Sequence, residues 1–150
     1  MPSSLVKLAA IGLTLSGVVL GLLLFAWPYV VPTPPFPVVE AMVGEIRTQS
    51  YGAVWRRLSE RWQREMPERE YVAANLRDDA VLIGQGGFIE STFLDSAATT
   101  WTGDEAFVPV YYRIKVVAVK PPRDYVRKVI FKLVYRRAVW HLDGMKVFNP

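Results

Sequence analysis

The amino-acid sequence predicts an α+β protein, in which a single transmembrane helix precedes two to three helices packed on a curved antiparallel sheet. Three observations support this prediction. Residues 8–27 form an uncharged apolar run, residues 39–76 carry apolar side chains at helical spacing, and residues 81–148 alternate with a period of about two. Helices followed by long antiparallel strands are typical of α+β architecture.

The apolar run from Leu8 to Trp27 contains 20 residues and no charge. A helix of that length is about 30 Å long, which matches the hydrocarbon thickness of a bilayer. The run exceeds the apolar region of a cleavable signal peptide, and it is followed by Tyr29, which with Trp27 suits the membrane interface. We therefore predict an uncleaved signal anchor, with residues 1–31 forming a cytoplasmic tip and the transmembrane helix.

Basic residues near the ends of a transmembrane segment indicate its orientation. Lys7 and the amino terminus flank one end of the run, whereas the other flank has no basic residue before Arg47. We therefore expect a single-pass protein of the inner (cytoplasmic) membrane. Its amino terminus lies in the cytoplasm, and residues 32–150 are periplasmic or extracellular.

Small residues recur along one stripe of the predicted transmembrane helix. Gly17 and Gly21 form a GxxxG pair, and Ala10 and Thr14 extend the same face. Small residues allow a second helix to approach closely, so this helix stripe is a candidate contact with another transmembrane helix. Ordinary composition of an apolar helix explains the same spacing equally well.

Residues 28–37 include five prolines. Proline fixes φ and removes a backbone donor, so the helix must end here and the chain continue as extended polyproline II. We predict a semi-rigid spacer over residues 32–37 and an extracytoplasmic domain over residues 38–150.

The domain opens with helical patterns. Residues 39–46 place apolar side chains on one helix face, and residues 51–66 continue at helical spacing after a possible cap at Ser50. Pro67 fits the first turn of a third helix, which extends to Leu76. The sequence therefore predicts two to three helices before the sheet.

The strand pattern begins near Ala80. Residues 81–83 and 88–101 read as strands separated by residues 84–87, a glycine-rich segment that we interpret as a bulge or bend and not as a phosphate loop. Residues 106–119, 125–139 and 140–148 read as three further strands, the last bent at Asp143-Gly144. The inward-facing residues are predicted to be Val108, Val110, Tyr112, Ile114, Val116, Ala118, Val129, Phe131, Leu133 and Tyr135.

Two parts of this pattern resemble the NTF2-like (cystatin-cone) superfamily. Its members often open with a helix of the pattern Tyr-x-x-x-Trp/Leu-x-x-Leu-Ser and close on a strand of the pattern Trp-x-Ile/Leu-x-Gly. The matching positions are Tyr51, Trp55, Leu58, Ser59, Trp140, Leu142 and Gly144. The resemblance covers residues 38–148 and implies a cone of helices on a curved sheet. Membrane-anchored relatives include a type IV secretion scaffold and accessory proteins of mycobacterial lipid import. The scaffold's Asn-Pro-x-Gly motif is absent here, which argues against that particular assignment.

The sequence offers no catalytic constellation. His141 is the only histidine, and alternation with its apolar neighbours places it outside. Glu90 and Asp95 face opposite ways if their strand is regular, so they do not form an acid–base pair. The absence of cysteine excludes disulfides, thiolate metal sites and cysteine nucleophiles. We predict no metal, no cofactor and no catalytic residue.

Two groups of side chains remain as candidate binding residues. Aromatic residues that could line the cone opening, although they also suit a core, are Trp55, Trp62, Tyr111, Tyr112 and Tyr135. Residues 113–150 hold 10 basic and 2 acidic side chains, while the whole chain has a net charge of +4. This predicts either a face for an anionic partner or a solvated sheet face. The predicted basic face comprises Arg113, Lys115, Lys128, Lys132 and Arg136.

These features favour a non-catalytic accessory or scaffold subunit of a larger membrane complex. Its partners would be other subunits, which it would contact through the transmembrane helix and the soluble domain. The alternative is a membrane-anchored module that binds a small apolar ligand in the cone. Nucleic acid is not expected as a partner, because alternation separates most aromatic residues from the basic side chains.

Overall fold

The structure, a computed structural model, describes residues 32–148. The predicted transmembrane helix and its helix stripe at Ala10, Thr14, Gly17 and Gly21 lie outside the described residues. Within residues 32–148, none of the helices has the length and apolar character needed to cross a membrane. The helices and strands described below belong to one compact unit, Pro34–Pro150.

The described chain has its helices first and its strands second, as the α+β prediction requires. Four helices and five strands are present in residues 32–148. The helices are α1 Phe36–Arg47, α2 Tyr51–Arg56, α3 Glu60–Glu65 and α4 Glu68–Gly84. The strands are β1 Gly87–Leu94, β2 Thr100–Thr102, β3 Glu105–Val116, β4 Arg123–Arg136 and β5 Val139–Phe148.

Helix α1 begins inside the predicted spacer. Pro35 is its N-cap and Pro37 lies in its first turn, where a missing backbone N–H costs no hydrogen bond. The spacer's assignment over residues 36–37 is therefore wrong, because proline at a helix start supports the helix. Val39 and Met42 are fully buried, on the face that the spacing predicts.

The single helix predicted over residues 51–66 is interrupted. At residues 57–59 the chain leaves the helix and bridges β5: the Ser59 N–H donates to the Leu142 carbonyl at 2.8 Å, and the Leu142 N–H donates to the Arg57 carbonyl at 2.8 Å. Ser59 then caps α3, because its Oγ accepts the Trp62 N–H at 3.4 Å. Pairing with a distant strand overrides the local helical spacing, which sequence alone could not show.

Helix α4 extends further than predicted. Residues 81–83, which we expected to be a strand, form its last turn. The glycine-rich segment is therefore a helix-to-strand turn and not a bulge within a strand. Gly86 has φ +69°, and a Cβ there would lie 2.7 Å from the Ala118 Cβ, so this turn requires glycine.

Four of the strands form an antiparallel sheet in the order β1-β3-β4-β5, with the short β2 also pairing with β3. Strands β3 and β4 pair over twelve residue pairs, from Glu105 opposite Val134 to Val116 opposite Arg123. One face of the sheet, called the inner face here, packs against the helices. The opposite face is called the outer face.

The predicted inward-facing residues lie on the inner face, with one exception. Nine are buried: Val108, Val110, Tyr112, Ile114, Val116, Val129, Phe131, Leu133 and Tyr135. Ala118 is exposed, because β3 ends at Val116 and the chain turns there. Trp140 and Leu142 extend the same buried face into β5.

Two bulges change which side chains face outward. In β1, Ile89 pairs with Ile114 and Ser91 pairs with Arg113, so Glu90 is an extra residue. In β5, Leu142 pairs with Leu133 and Gly144 pairs with Lys132, so Asp143 is extra. After each bulge, the side chains lie on the sheet face opposite to the one that a regular alternation would give them. The second one lies at the predicted Asp143-Gly144 bend.

We expect Ile114→Asp to lower the free energy of unfolding by about 3–5 kcal/mol, because Ile114 is only 4% exposed and an unpaired carboxylate would be buried. Val126→Asp is the matched control, since Val126 lies on the outer face opposite Arg113. The measurement is urea unfolding of the chain in detergent, followed by tryptophan fluorescence. Equal stability of the two variants would show that the inner and outer faces are assigned the wrong way round.

Candidate interaction surface

The inside of the domain is filled by packed side chains, including two of the predicted pocket residues. Tyr112 is buried, and the ring of Tyr135 packs against that of Trp140 in a tilted arrangement, with ring centroids 5.1 Å apart and an interplanar angle of 59°. Two further buried tyrosines, Tyr51 and Tyr71, approach from the helices. Tyr112 and Tyr135 therefore contribute to the core that joins the helices to the sheet.

The buried tyrosine hydroxyls are held in the neutral form. Burial, and then a 2.5 Å hydrogen bond donated to Asp79 Oδ2, raises the pKa of Tyr51. Burial, with Tyr71 nearby, raises the pKa of Tyr112, and burial also raises the pKa of Tyr71. Protonated phenols can donate hydrogen bonds but cannot act as general bases near neutral pH.

The other three predicted pocket residues are placed differently. Trp55 is half-buried, and its Nε1–H donates to the Met66 carbonyl at 2.9 Å. Trp62 is half-buried against the edge of the core. Tyr111 lies on the outer face, because consecutive residues of a strand point to opposite sides, and so it cannot share an interior pocket with Tyr112.

Two open clefts lie along the edge strand β1. One, of about 340 Å³, is formed by the ends of α1 and α4 and the start of β1. The other, of about 260 Å³, lies between α1 and the end of β1. Arg47 lines both clefts, whereas none of the predicted pocket aromatics lines either. Asp79, in the larger cleft, already accepts hydrogen bonds from Gln49 and Tyr51.

The predicted basic face lies on the outer face, but acidic residues neutralise most of it. Arg113 and Lys115 pair with Glu90, and Arg113 also pairs with Asp124 at 2.7 Å. The hydrogen bond that the Arg113 guanidinium donates holds the pKa of the Asp124 carboxyl below its ordinary range.

The opposite end of the outer face is neutralised in the same way. Lys132 pairs with Glu105 at 2.8 Å, and Arg136 pairs with Asp104. Their acidic partners come from residues before 113. Four of the five predicted basic-face residues are therefore paired with acidic side chains.

Between these two charged ends, a row of four side chains crosses the outer face. Phe93 pairs with Tyr111, Tyr111 pairs with Lys128, and Lys128 pairs with Phe148, so one residue comes from each of β1, β3, β4 and β5. The Phe93 and Tyr111 ring centroids are 6.2 Å apart. Pro109, Ile130 and Lys146 form the adjacent row. We call these seven residues the outer band.

The two phenylalanines of the outer band are exposed, although Pro109 is buried and Tyr111 is half-buried. Phe93 is 63% exposed and Phe148 is 38% exposed. These two rings lie at opposite edges of the sheet, on β1 and β5, with the half-buried Tyr111 and Lys128 between them. The row is therefore a mixed aromatic and basic strip, and its exposed rings make it a candidate interface. No helix of residues 32–148 packs on this face, since the helices cover the inner one.

The outer band also contains two cations outside the ion pairs. The Lys128 Nζ lies 5.6 Å from the Tyr111 ring centroid and 5.9 Å from that of Phe148, and the Lys146 Nζ lies 5.0 Å from the Phe148 centroid. Neither lysine pairs with an acidic side chain in the part of the chain that the structure describes. Of the predicted basic face, Lys128 is thus the member that keeps an uncompensated charge.

The sequence analysis missed most of the outer band. Phe93 and Phe148 follow the two bulges, so a regular alternation assigns them to the wrong face. Lys146 also follows the β5 bulge, and it was not among the residues of the predicted basic face. The one signal in the sequence was the predicted bend at Asp143-Gly144. It marks the point in β5 after which the inward and outward positions exchange.

Comparisons with known proteins support the fold. No family model matches the chain, and no curated protein matches it. A solved structure from Campylobacter jejuni, described as an NTF2-like transpeptidase, superposes with a TM-score of 0.53 at 10% identity, covering 75% of this chain and 99% of that one. The intermembrane-space region of chloroplast protein ARC6 gives a TM-score of 0.44 at 13% identity, covering 79% and 100%. The first likeness shows an NTF2-like fold.

The buried tyrosines predict a loss of stability in alkali. Their pKa values are raised in the folded state, so unfolding releases protons above the ordinary phenol pKa of about 10. Stability from this source is complete below pH about 10 and falls as pH rises beyond it.

The double variant Tyr51→Phe, Tyr112→Phe should show a shallower fall, because two of the three groups no longer titrate. The measurement is the free energy of urea unfolding at increasing pH, with the pH 7 value giving the structural cost of the substitutions. An unchanged alkaline slope would contradict the assignment of these hydroxyls to the core.

Proposed function

We propose that this chain is a non-catalytic accessory or scaffold subunit of a larger membrane complex. Residues 8–27 anchor it as a single-pass protein, and the NTF2-like domain lies outside the cytoplasm and contacts partner subunits. The observation that carries the proposal is the exposed outer band, with Phe93 63% exposed. Burying such side chains against a partner is favourable by about 25 cal/mol per Å² of apolar surface.

The placement of the polar groups supports a binding role for this domain more than a catalytic one. The buried hydroxyls of Tyr51, Tyr71 and Tyr112 are kept neutral, and the ionised groups of the outer face, apart from Lys128 and Lys146, are paired with one another. In an enzyme of this fold we would instead expect an acid and a base facing a cavity. The exposed rings of Phe93 and Phe148 lie on the outside of the sheet, where a partner could cover them.

A small-ligand role is the alternative. The open cleft of about 340 Å³ beside β1 has the volume of a small binding site and contains the apolar side chains of Leu82 and Ile89. The cone interior supports this role less well, because a ligand there would have to displace Tyr112 from its buried position. Ligand that stays with the purified chain and is lost on Ile89→Arg would favour the alternative.

The proposed topology predicts that a membrane-impermeant reagent added outside the cell membrane can reach the domain. Ser50 is exposed at the start of α2, so a cysteine introduced by Ser50→Cys is accessible in the folded domain. In intact spheroplasts it should react with a membrane-impermeant maleimide. Reaction only after lysis would place the domain in the cytoplasm.

The helix stripe predicts a second effect. Gly17→Leu with Gly21→Leu should leave membrane insertion intact, because the segment becomes more apolar, but should weaken close packing by about 1–2 kcal/mol. The control is Leu15→Ile with Leu22→Ile, which changes residues off the stripe. The measurement is the partner protein retained per chain after mild detergent extraction. Equal retention of the partner by the stripe variant and by the control would show that the helix stripe does not contribute to the contact.

The outer band predicts the strongest effect on retention. Phe93→Ser with Phe148→Ser should lower partner retention by about tenfold or more, because each ring loses an apolar contact. Val117→Ser with Val139→Ser is the control, since both valines lie outside the outer band and are similarly exposed: Val117 is 57% exposed and Val139 is 49% exposed. If the outer-band variant retains partners as well as this control does, the domain uses another surface.

A further inference from the structure

We infer that the outer band binds an acidic segment of a partner protein, whose carboxylates meet Lys128 and Lys146 while its apolar side chains pack on the rings between them. This rests on the proposed function and adds the chemistry of the partner. The observation behind it is a mixture of exposed rings and uncompensated ammonium groups in one small area.

The two lysines are arranged to receive anions. Lys128 is on β4 and Lys146 is on β5, and both Nζ atoms lie within 6 Å of the Phe148 ring centroid. Cation–π contacts orient an ammonium group but leave its net charge unneutralised. The other four members of the predicted basic face already have carboxylate partners. An incoming carboxylate therefore finds uncompensated cations in the outer band.

A second copy of this chain fits the outer band poorly. Stacking two outer bands would bring together two lysines from each copy, and the seven residues of the band include no acidic side chain to pair with them. Four ammonium groups in an apolar interface would repel one another and lose hydration. Charge complementarity therefore favours an acidic partner over self-association.

An anionic membrane surface also fits poorly. Acidic residues lie on the same face at both ends of the strands, with Asp124 and Glu90 beyond one side of the outer band and Glu105 beyond the other. A flat layer of anionic headgroups would meet these carboxylates as well as the lysines. A narrow segment that runs across the four strands, about 14 Å wide in total, can contact the outer band alone.

The test uses the full chain in mild detergent and a short labelled peptide of interspersed glutamate and leucine residues, with binding measured by fluorescence anisotropy. We expect it to bind about tenfold or more tightly than the same peptide with glutamine in place of glutamate, and to weaken as salt rises. Lys128→Met with Lys146→Met should remove the preference for glutamate, because methionine keeps the apolar stem without the charge. Lys132→Met, at an already paired lysine, is the control.

The peptide measurements can overturn the inference in three ways: the glutamate peptide does not bind, the two peptides bind equally well, or the preference for glutamate survives Lys128→Met with Lys146→Met. A dimer of the full chain that dissociates on Phe93→Ser would also overturn it, because the outer band would then bind a second copy. Cross-linking of Phe148→benzoylphenylalanine to lipid in nanodiscs containing phosphatidylglycerol would instead identify a membrane surface and also overturn it.

Retention of native partners separates this inference from the proposed function. If Phe93→Ser with Phe148→Ser loses the partners and Lys128→Met with Lys146→Met keeps them, the outer band is an interface but its partner is not acidic. If neither variant loses them, the proposed role of the outer band itself fails.

Discussion

The pairing of β3 with β4 is the constraint on which the rest of the domain depends. Twelve consecutive residue pairs fix the register of the two longest strands, and alternation then fixes which side chains of each strand share a face. The inner positions, such as Val110, Phe131 and Leu133, are apolar and become almost fully buried beneath the helices. A shift of one residue would expose this core, so the register is strongly determined. The same register places Tyr111 beside Lys128 on the outside.

The helical layer is attached to this sheet by a short backbone bridge. Residues 57–59 pair with Leu142, and Ser59 Oγ donates to Asp143 Oδ1 at 2.6 Å next to the β5 bulge. Arg61 adds a hydrogen bond to the Asp143 carbonyl at 2.7 Å. These contacts hold α2 and α3 over the inner face near β5, where Trp140 is buried. The outer face consequently remains without a covering element in the described chain.

Much of the fold follows from the sequence, because local periodicity and burial agree over β3 and β4. The inward positions from Val108 to Val116 and from Val129 to Tyr135 were predictable for that reason. The helix break at residues 57–59 was not, since a pairing with Leu142 far along the chain causes it. The end of α4 was missed because residues 81–83 are apolar and consecutive, a pattern that a strand and a helix share.

The outer band could be predicted only in part, and the reason lies in two single residues. Glu90 and Asp143 are bulge residues, and each reverses the parity of its strand, which brings Phe93 and Phe148 to the outer face. Composition indicated a basic region, but composition cannot show that acidic residues such as Glu90 and Glu105 return to neutralise it. Of the predicted basic face, only Lys128 has no acidic partner among the described residues, and it lies between the rings of Tyr111 and Phe148.

Whether a partner covers the outer band, as we propose, can be measured by hydroxyl-radical footprinting, which oxidises exposed aromatic side chains. The purified chain and the complex extracted in mild detergent are compared, with the buried side chains Phe131 and Trp140 as internal references. We expect Phe93, Tyr111 and Phe148 to be oxidised in the free chain and protected in the complex, while the references remain unreactive in both. Equal oxidation of Phe93 and Phe148 in the two samples would contradict the proposed role of the outer band as a surface that contacts partner subunits.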